Sequence, residues 1–553
     1  PATPGVNLTV KLDGNILQST PDIDFVGDTR RLALGTAGLG ELRSWFCQRA
    51  VISPRQLFEI MSQFWENHFV TQQSKSVDYI TGLGFDSTTA GVIASNWEYR
   101  EMSKWRNAML NPNCTFYDLL KISAESPAMI VYLDTVNSKG SGNNVANENY
   151  ARELLELFTF GVDNGYDQND IILMSRAWTG WSVQLVDTAN AANPFAPLSL
   201  TFYANTNSSS TANKVGVLAF NYQAGNHGTN RGDLFAGKTV PARFGAPWAG
   251  RSYSLHLPAR LSGDTNSIQD GYDVIAHLAN QPFVEEYLSV KLCRLFVHDD
   301  FPNPTTTTNL PEYAFYDYTD PNRSAEAELV HQCMQAWEGS TPKGNIRAVL
   351  STIFNSDLFR SHTAVAQKVK TPFEFVASSL RALRSTTTGG ALTATTDGYS
   401  FASPLSNMGQ MLLFDRAAPD GYPEVAAPWI SGGTLVERIR YVQSLCMTNG
   451  ASNRADAGNQ FVDPVGLLKK KLASGSWNSD TAVADYFLGI LFPTEGAGNL
   501  ALYRAAAVDY LNKADDGVTA SSFISLSSTS GTYENRVRGM VAMLMAFQRF
   551  QEQ

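Results

Sequence analysis

The stretch Asn147-Glu148-Asn149-Tyr150-Ala151-Arg152-Glu153-Leu154-Leu155-Glu156-Leu157-Phe158 decides the fold class of this chain. At 100° per residue on a helix, Asn149, Arg152, Glu153 and Glu156 share an arc of about 100°, and Tyr150, Ala151, Leu154, Leu155, Leu157 and Phe158 cover the rest. A helix so widely apolar is enclosed on most sides. Its polar stripe is either a solvated face or an internal seam where Glu153 and Glu156 meet cationic or imidazole groups of other helices.

Helical punctuation continues on both sides of this block. Ser53-Pro54-Arg55-Gln56 and Thr371-Pro372-Phe373-Glu374 each combine a hydroxyl cap, a proline at the first helical position and a Gln or Glu three residues after the cap. Asp167 to Asp170 opens another helix. Apolar spacing predicts helices near 53–69, 115–134, 147–159, 167–180, 270–298, 324–338, 343–358, 371–384, 434–447, 480–492 and 532–550.

Three stretches depart from that period. Val6, Leu8, Val10 and Leu12 alternate with polar residues before Asp13-Gly14, which predicts a short hairpin. Residues 182–263 are rich in Asn, Ser, Thr, Ala and Gly and carry strand-like pieces at 198–203 and 215–222. Residues 385–400 read as a loop or a short hairpin. The expected fold is mainly α: a large multi-helix orthogonal bundle with a small β-containing insertion and a short N-terminal hairpin. Its expected parts are an N-terminal helical part over 1–181, the insertion over 182–265, and a C-terminal helical part over 266–553 that shares one continuous core with the first.

Composition excludes several partners. A net charge of -10 and a pI near 5.3 give no positive footprint for nucleic acid or anionic lipid. The strongest apolar runs, 486–492 and 540–547, fall far short of the roughly 20 residues a membrane span needs. With only 17% charged residues, the surface is carried by Ser, Thr, Asn, Gln and Gly, as is common outside the cytoplasm. The chain starts Pro1-Ala2-Thr3-Pro4, as removal of a signal peptide or an expression tag would leave, and a secreted, periplasmic or cell-surface location is expected. Cys47, Cys114, Cys293, Cys333 and Cys446 form no CxxC pair and read as core thiols.

Two ionisable groups fall on apolar helix faces. Leu57, Ile60, Met61, Phe64 and His68 form a stripe that buries His68, either as a hydrogen-bonded core histidine or as a metal ligand or acid–base group. Val284, Tyr287, Leu288, Lys291, Leu292 and Leu295 repeat the pattern with Lys291 at the centre. A buried ammonium must meet an anion, so Lys291 predicts a buried carboxylate, for which Glu153 and Glu156 are the candidates. The acidic run Asp163 to Asp170 lacks the glycine and terminal Glu of a calcium loop and reads as caps and turns. No nucleophile elbow, phosphate loop or dinucleotide fingerprint occurs.

Phe64-Trp65-Glu66-Asn67-His68-Phe69, the 147–157 block, Gly161-Val162, Gly165-Tyr166 and Arg176-Ala177-Trp178-Thr179-Gly180-Trp181 resemble segments of a secreted bacterial family, domain of unknown function 1800. So do Ser126-Pro127-Ala128-Met129, Tyr132-Leu133-Asp134, Lys368 to Pro372, Pro419-Asp420-Gly421-Tyr422-Pro423 and the closing Phe547 to Gln551. The resemblance runs nearly end to end and implies export and a mostly helical fold. Where the family often has histidines, this chain has Glu66, Phe158 and Gln281, and His227-Gly228 replaces a His-Asp. If the family's His and carboxylates form a site, this member keeps His68, Glu148, Glu153, Glu156 and His227.

Two functions are compatible with these residues. In one, the chain is an exported structural or assembly protein, partnered by itself or another exported protein. Glu148, Asn149, Arg152 and Lys291 then belong to a buried polar cluster that fixes helix register. In the other, it is an exported metal-dependent enzyme whose His68, Glu153, Glu156 and His227 hold a divalent iron, manganese or zinc ion.

Overall fold

The computed structural model describes residues 37–140, 145–187, 196–197, 217–229, 232–302, 314–361, 368–383, 396, 398–447 and 462–553. The fold is mainly α, with two small antiparallel sheets among the described residues. The chain divides into two compact units. The first takes in the chain up to Leu42, Ile60–Ala364 and Phe414–Tyr422; the second takes in Arg43–Glu59, Val365–Leu413 and Pro423–Gln553. The expected hairpin near the start, the piece at 198–203 and most of 385–400 lie outside the described residues.

Local chemistry sets the helix boundaries. Thr371 caps Pro372–Ala382 and exchanges bonds with Glu374 as a capping box, and Asp167 does the same with Asp170 at the start of Gln168–Ser175. Lys238 pairs with both aspartates, so this acidic run serves a helix start. Two expected helices are each broken in two. Phe116–Ala124 and Pro127–Tyr132 replace the single helix at 115–134, and Gln269–Leu278 and Pro282–Phe296 replace the one at 270–298. In both, the proline lacks an N–H and disfavours helical backbone in the residue before it.

The first unit builds its core between helices and the larger sheet. Trp181–Asp187 pairs antiparallel with Val217–Tyr222, Trp181 opposite Tyr222, and with Ala196–Pro197 on its other side. Alternate residues Val183 and Leu185 point one way. With Leu218 they join Ile80, Phe85, Ala94, Trp97 and Ile130 in one apolar cluster. The long helix Ser87–Leu110 contributes Trp97 to this core and also buries Asn96, Glu98, Arg100, Glu101 and Arg106.

In the second unit, Arg438 of helix Gly432–Met447 is wholly buried. It donates to the Lys370 carbonyl at 2.7 Å and lies over the Phe375 ring, 4.9 Å from its centroid. Lys370 in turn donates to the Phe550 carbonyl at 2.6 Å. Burial draws the Lys370 ammonium down to about 8, since these partners are carbonyl dipoles and rings rather than carboxylates.

Candidate functional site

The helix Asn149–Glu153 widens into a π-helix over Leu154–Thr159 before it ends. The last carbonyls of any helix lack an internal donor. Here other segments supply them: His68 Nε2 lies 3.1 Å from the Phe158 carbonyl, and the Tyr287 hydroxyl donates to the Leu157 carbonyl at 3.0 Å.

His68 is 2% exposed, as its spacing predicts, although Leu57 at the start of the same stripe is exposed. The rings of Phe64, Trp65, Phe69, Phe116, Phe158 and Tyr287 surround the imidazole, with centroids no more than 6.4 Å away. Burial, reinforced by the charge of Lys291, holds its pKa well below the usual histidine value. The ring is therefore neutral near pH 7. A carbonyl can only accept, so the proton sits on Nε2, and Nδ1 turns a bare lone pair, with no hydrogen-bond partner, into the aromatic cage. Phe158, where the resemblance suggests a histidine, gives both a ring and a carbonyl to this cage.

Lys291 does not occupy the centre of a buried face. It is partly exposed, and its ammonium lies 5.5 Å from the Tyr287 ring centroid, where its long stem allows the charge to reach outward. The charges that its helix does bury are Glu285 and Glu286. Glu286 takes both terminal nitrogens of Arg243 at 2.7 Å and the Tyr318 hydroxyl at 2.8 Å. Glu285 accepts from Trp248 Nε1 at 3.0 Å, pairs with Lys343 at 3.1 Å, and is pushed by burial up to about 8.

The polar stripe of the 147–157 block is a partly solvated network. Arg152 reaches Glu148 and Glu156 at 3.4 Å each, and Gln168 links Arg152 at 2.9 Å to Glu148 at 2.7 Å. Asn149 Nδ2 points to Asp134 at 3.5 Å. Glu153 is half-buried; burial raises its pKa, the Glu156 charge adds to that, and Arg152 opposes it.

His227 stands in other surroundings. It is buried, with Nδ1 at 2.6 Å from the Thr179 carbonyl and Nε2 at 3.4 Å from Asp270. Arg260 grips the other oxygen of Asp270 through Nε at 2.9 Å and Nη2 at 2.7 Å. The Thr179 hydroxyl accepts from the Gly228 N–H at 3.0 Å, so the segment around His227 is tied to the 176–181 motif. Gly180, at φ 86°, lies so close to the Gln223 carbonyl that a Cβ would come within 2.6 Å of it.

Of a group of buried carboxylates, the sequence reading singles out only Glu66, and not as an acid. Glu66, Glu98 and Glu101 are all buried. Glu66 accepts from the Phe414 N–H at 3.1 Å, Glu98 from the Thr71 hydroxyl at 2.6 Å, and Glu101 from the Ser126 hydroxyl at 2.6 Å. Burial, with the charges of Glu101 and Glu66, pushes Glu98 well above the ordinary range, and burial pushes Glu101 up to about 8. A small cavity beside Glu101 is lined by Trp97, Arg100, Lys104, Glu125 and Ser126. Among the described residues, no three His, Cys, Asp or Glu side chains are placed to hold one metal ion.

The family model described as Protein of unknown function (DUF1800) matches residues 29–551. The chain belongs to this family. Comparison with curated proteins and with solved structures gives no match. In this DUF1800 chain the motif residues Asn67, Ser126, Tyr150, Arg152, Thr179 and Tyr422 all make contacts within the first unit. No helix among the described residues is long and apolar enough to cross a membrane.

Proposed function

We propose that this chain is an exported structural protein, secreted or held at the cell surface, whose interior polar groups fix the packing of its helices and which assembles with itself or another exported protein. The observation that carries this reading is the use made of the motif residues. Asn67 is spent on the backbone of Tyr422, Thr179 on the Gly228 backbone and His227, Tyr150 on the edge of Trp178 at 4.9 Å, and His68 on the Phe158 carbonyl. Each joins segments distant in sequence. Export is supported by the weakly charged, Ser/Thr/Asn-rich composition, and it is what the motif resemblance drawn from the sequence implies.

A metal-dependent enzyme would need its ligands to converge. His68 is instead enclosed by rings, His227 is engaged by Thr179 and Asp270, and Glu156 is paired with Arg152. Two measurements on the full chain purified from its source test the proposal. Sedimentation velocity is expected to give species heavier than the 60.4 kDa chain; a monomer at every concentration would sink the assembly role. Elemental analysis is expected to give no stoichiometric iron, manganese or zinc. A metal that disappears in both His68→Ala and Glu153→Ala would reinstate the enzyme.

A further inference from the structure

The chain's net charge of -10 is unevenly shared between its two units. The first carries 37 Asp and Glu against 24 Lys and Arg, a net of -13, whereas the second carries 15 against 18, a net of +3. The field of each unit thus favours approach by the opposite unit of a second copy over approach by its own kind. The second unit also presents an apolar helix face. Helix Gly432–Met447 buries Arg438, Tyr441, Val442 and Leu445 on one side and packs on Gly531–Met545. The outer side of such a helix is ordinarily polar. Here Leu435, Val436 and Ile439, adjacent at helical spacings, are 36%, 46% and 38% exposed, with the exposed Arg440 beside them. In the first unit, the segment from Glu148 to Ile172 holds six Asp and Glu against Arg152 alone. On it Val162 and Ile172 are 54% and 36% exposed, and Asp163 and Asp167 are exposed as well.

We propose that the partner of this chain is a second copy bound through the opposite unit, the Leu435, Val436 and Ile439 face of one copy seating on the acidic surface around Val162 of another copy's first unit. The proposal rests on the assembly reading above and names its partner and its two faces. Apolar side chains stand exposed on both surfaces, so each loses contact with water when they meet. The charges choose the pairing: the face beside Arg440, in a unit of net +3, meets carboxylates, whereas two acidic segments brought together would set like charges against each other. The two faces differ, so every contact leaves one of each kind free and association continues past the dimer.

The test is sedimentation velocity on the full chain and two variants. Val436→Glu sets a carboxylate on the second-unit face. Val162→Lys with Asp163→Asn reverses the charge of the first-unit surface, and Asn tolerates the left-handed backbone of Asp163, at φ 55°. The parent is expected to form a series of oligomers whose association constant falls on the order of tenfold as sodium chloride rises from about 0.05 to 0.5 M. Each variant alone is expected to stay monomeric, since it keeps one competent face. An equal mixture of the two restores a single contact and gives dimers of about twice 60.4 kDa and nothing larger. Melting temperatures near the parent's show that the variants fold, and Ile439→Glu replaces Val436→Glu should the latter not. Assembly that survives both variants, or that does not weaken with salt, overturns the proposal and leaves the assembly reading standing. A Val162→Lys, Asp163→Asn chain that still pairs while Val436→Glu does not would show the apolar face meeting its own kind, and overturns it too. A parent that is monomeric at every concentration overturns both.

Discussion

The side-chain amide of Asn67 holds the backbone of Tyr422 at both ends: Nδ2 donates to the Tyr422 carbonyl at 3.0 Å, and Oδ1 accepts from its N–H at 2.6 Å. Two motifs far apart in the chain are thereby clasped in one unit. Gly421 makes the approach possible. At φ 74° it lies in the left-handed region, and a Cβ there would come within 2.5 Å of the Asn67 carbonyl oxygen.

Gly421→Ala is therefore expected to destabilise the chain well beyond the roughly 1–2 kcal/mol of a left-handed alanine. Gly263 is the control, because it has φ 78° with open space around its Cβ position. Gly263→Ala pays the conformational term alone. Asn67→Ala leaves two backbone groups unpaired and is expected to cost about 1–3 kcal/mol for each that stays dry. Thermal melting of the three variants checks this; equal effects at Gly421 and Gly263 would remove the clasp as an explanation.

The pair Arg243–Glu286 gives a second expectation. Glu286 is fully buried and Arg243 nearly so, so removing one partner strands a desolvated charge. Arg243→Met or Glu286→Leu alone is expected to cost about 3–5 kcal/mol, and the double variant markedly less than the sum. Urea unfolding of the four proteins measures the coupling. Additive losses would mean that the two charges stabilise the fold independently.

Features written in local chemistry were legible in the sequence, and those made by distant backbone were not. The capping residues Thr371 and Asp167 act within one turn, and the structure keeps them. His68 is buried as its spacing requires, yet its partner is a main-chain carbonyl at the end of a π-helix, which no side chain announces. On the helix of Lys291, the same spacing leaves either the Lys291 face or the Glu285–Glu286 face free to turn inward, and Arg243 and Lys343 from elsewhere decide for the glutamates. Ser87–Leu110 went unread because it buries polar and apolar side chains on many sides, so no apolar stripe marks it.

Stability is expected to fall as pH rises through the neutral range. Glu101 and Glu285 are each held up at about 8 by burial, and Glu98 is raised too, whereas in the unfolded chain all three ionise near the ordinary glutamate value. Folding a protonated carboxyl is favoured below that ordinary value, and the advantage is lost as pH climbs towards 8. Each group contributes a slope on the order of 1 kcal/mol per pH unit, flattening above its folded pKa. Denaturant midpoints between pH 5.5 and 8.5 read the fall, and Glu101→Gln should make it shallower. A variant with the parent's slope would show that Glu101 ionises in the folded chain as readily as in the unfolded one.

His68 acts in the opposite direction on the acid side. Its folded pKa is depressed by burial and by Lys291, so below the ordinary histidine value the unfolded chain takes up a proton that the folded chain refuses. Its contribution is intact above that value and is lost as pH falls, while the buried glutamates gain over the same interval. The parent's profile alone thus mixes two signs, and the comparison needs a variant that cannot titrate. His68→Gln offers a neutral donor for the Phe158 carbonyl and takes no proton. The stability difference, parent minus variant, is expected to shrink by on the order of 1 kcal/mol per pH unit from about 6.5 downward. A difference that stays constant to pH 5 would mean that the cage admits the imidazolium, and that the neutral ring with its bare Nδ1 is not the folded state of His68.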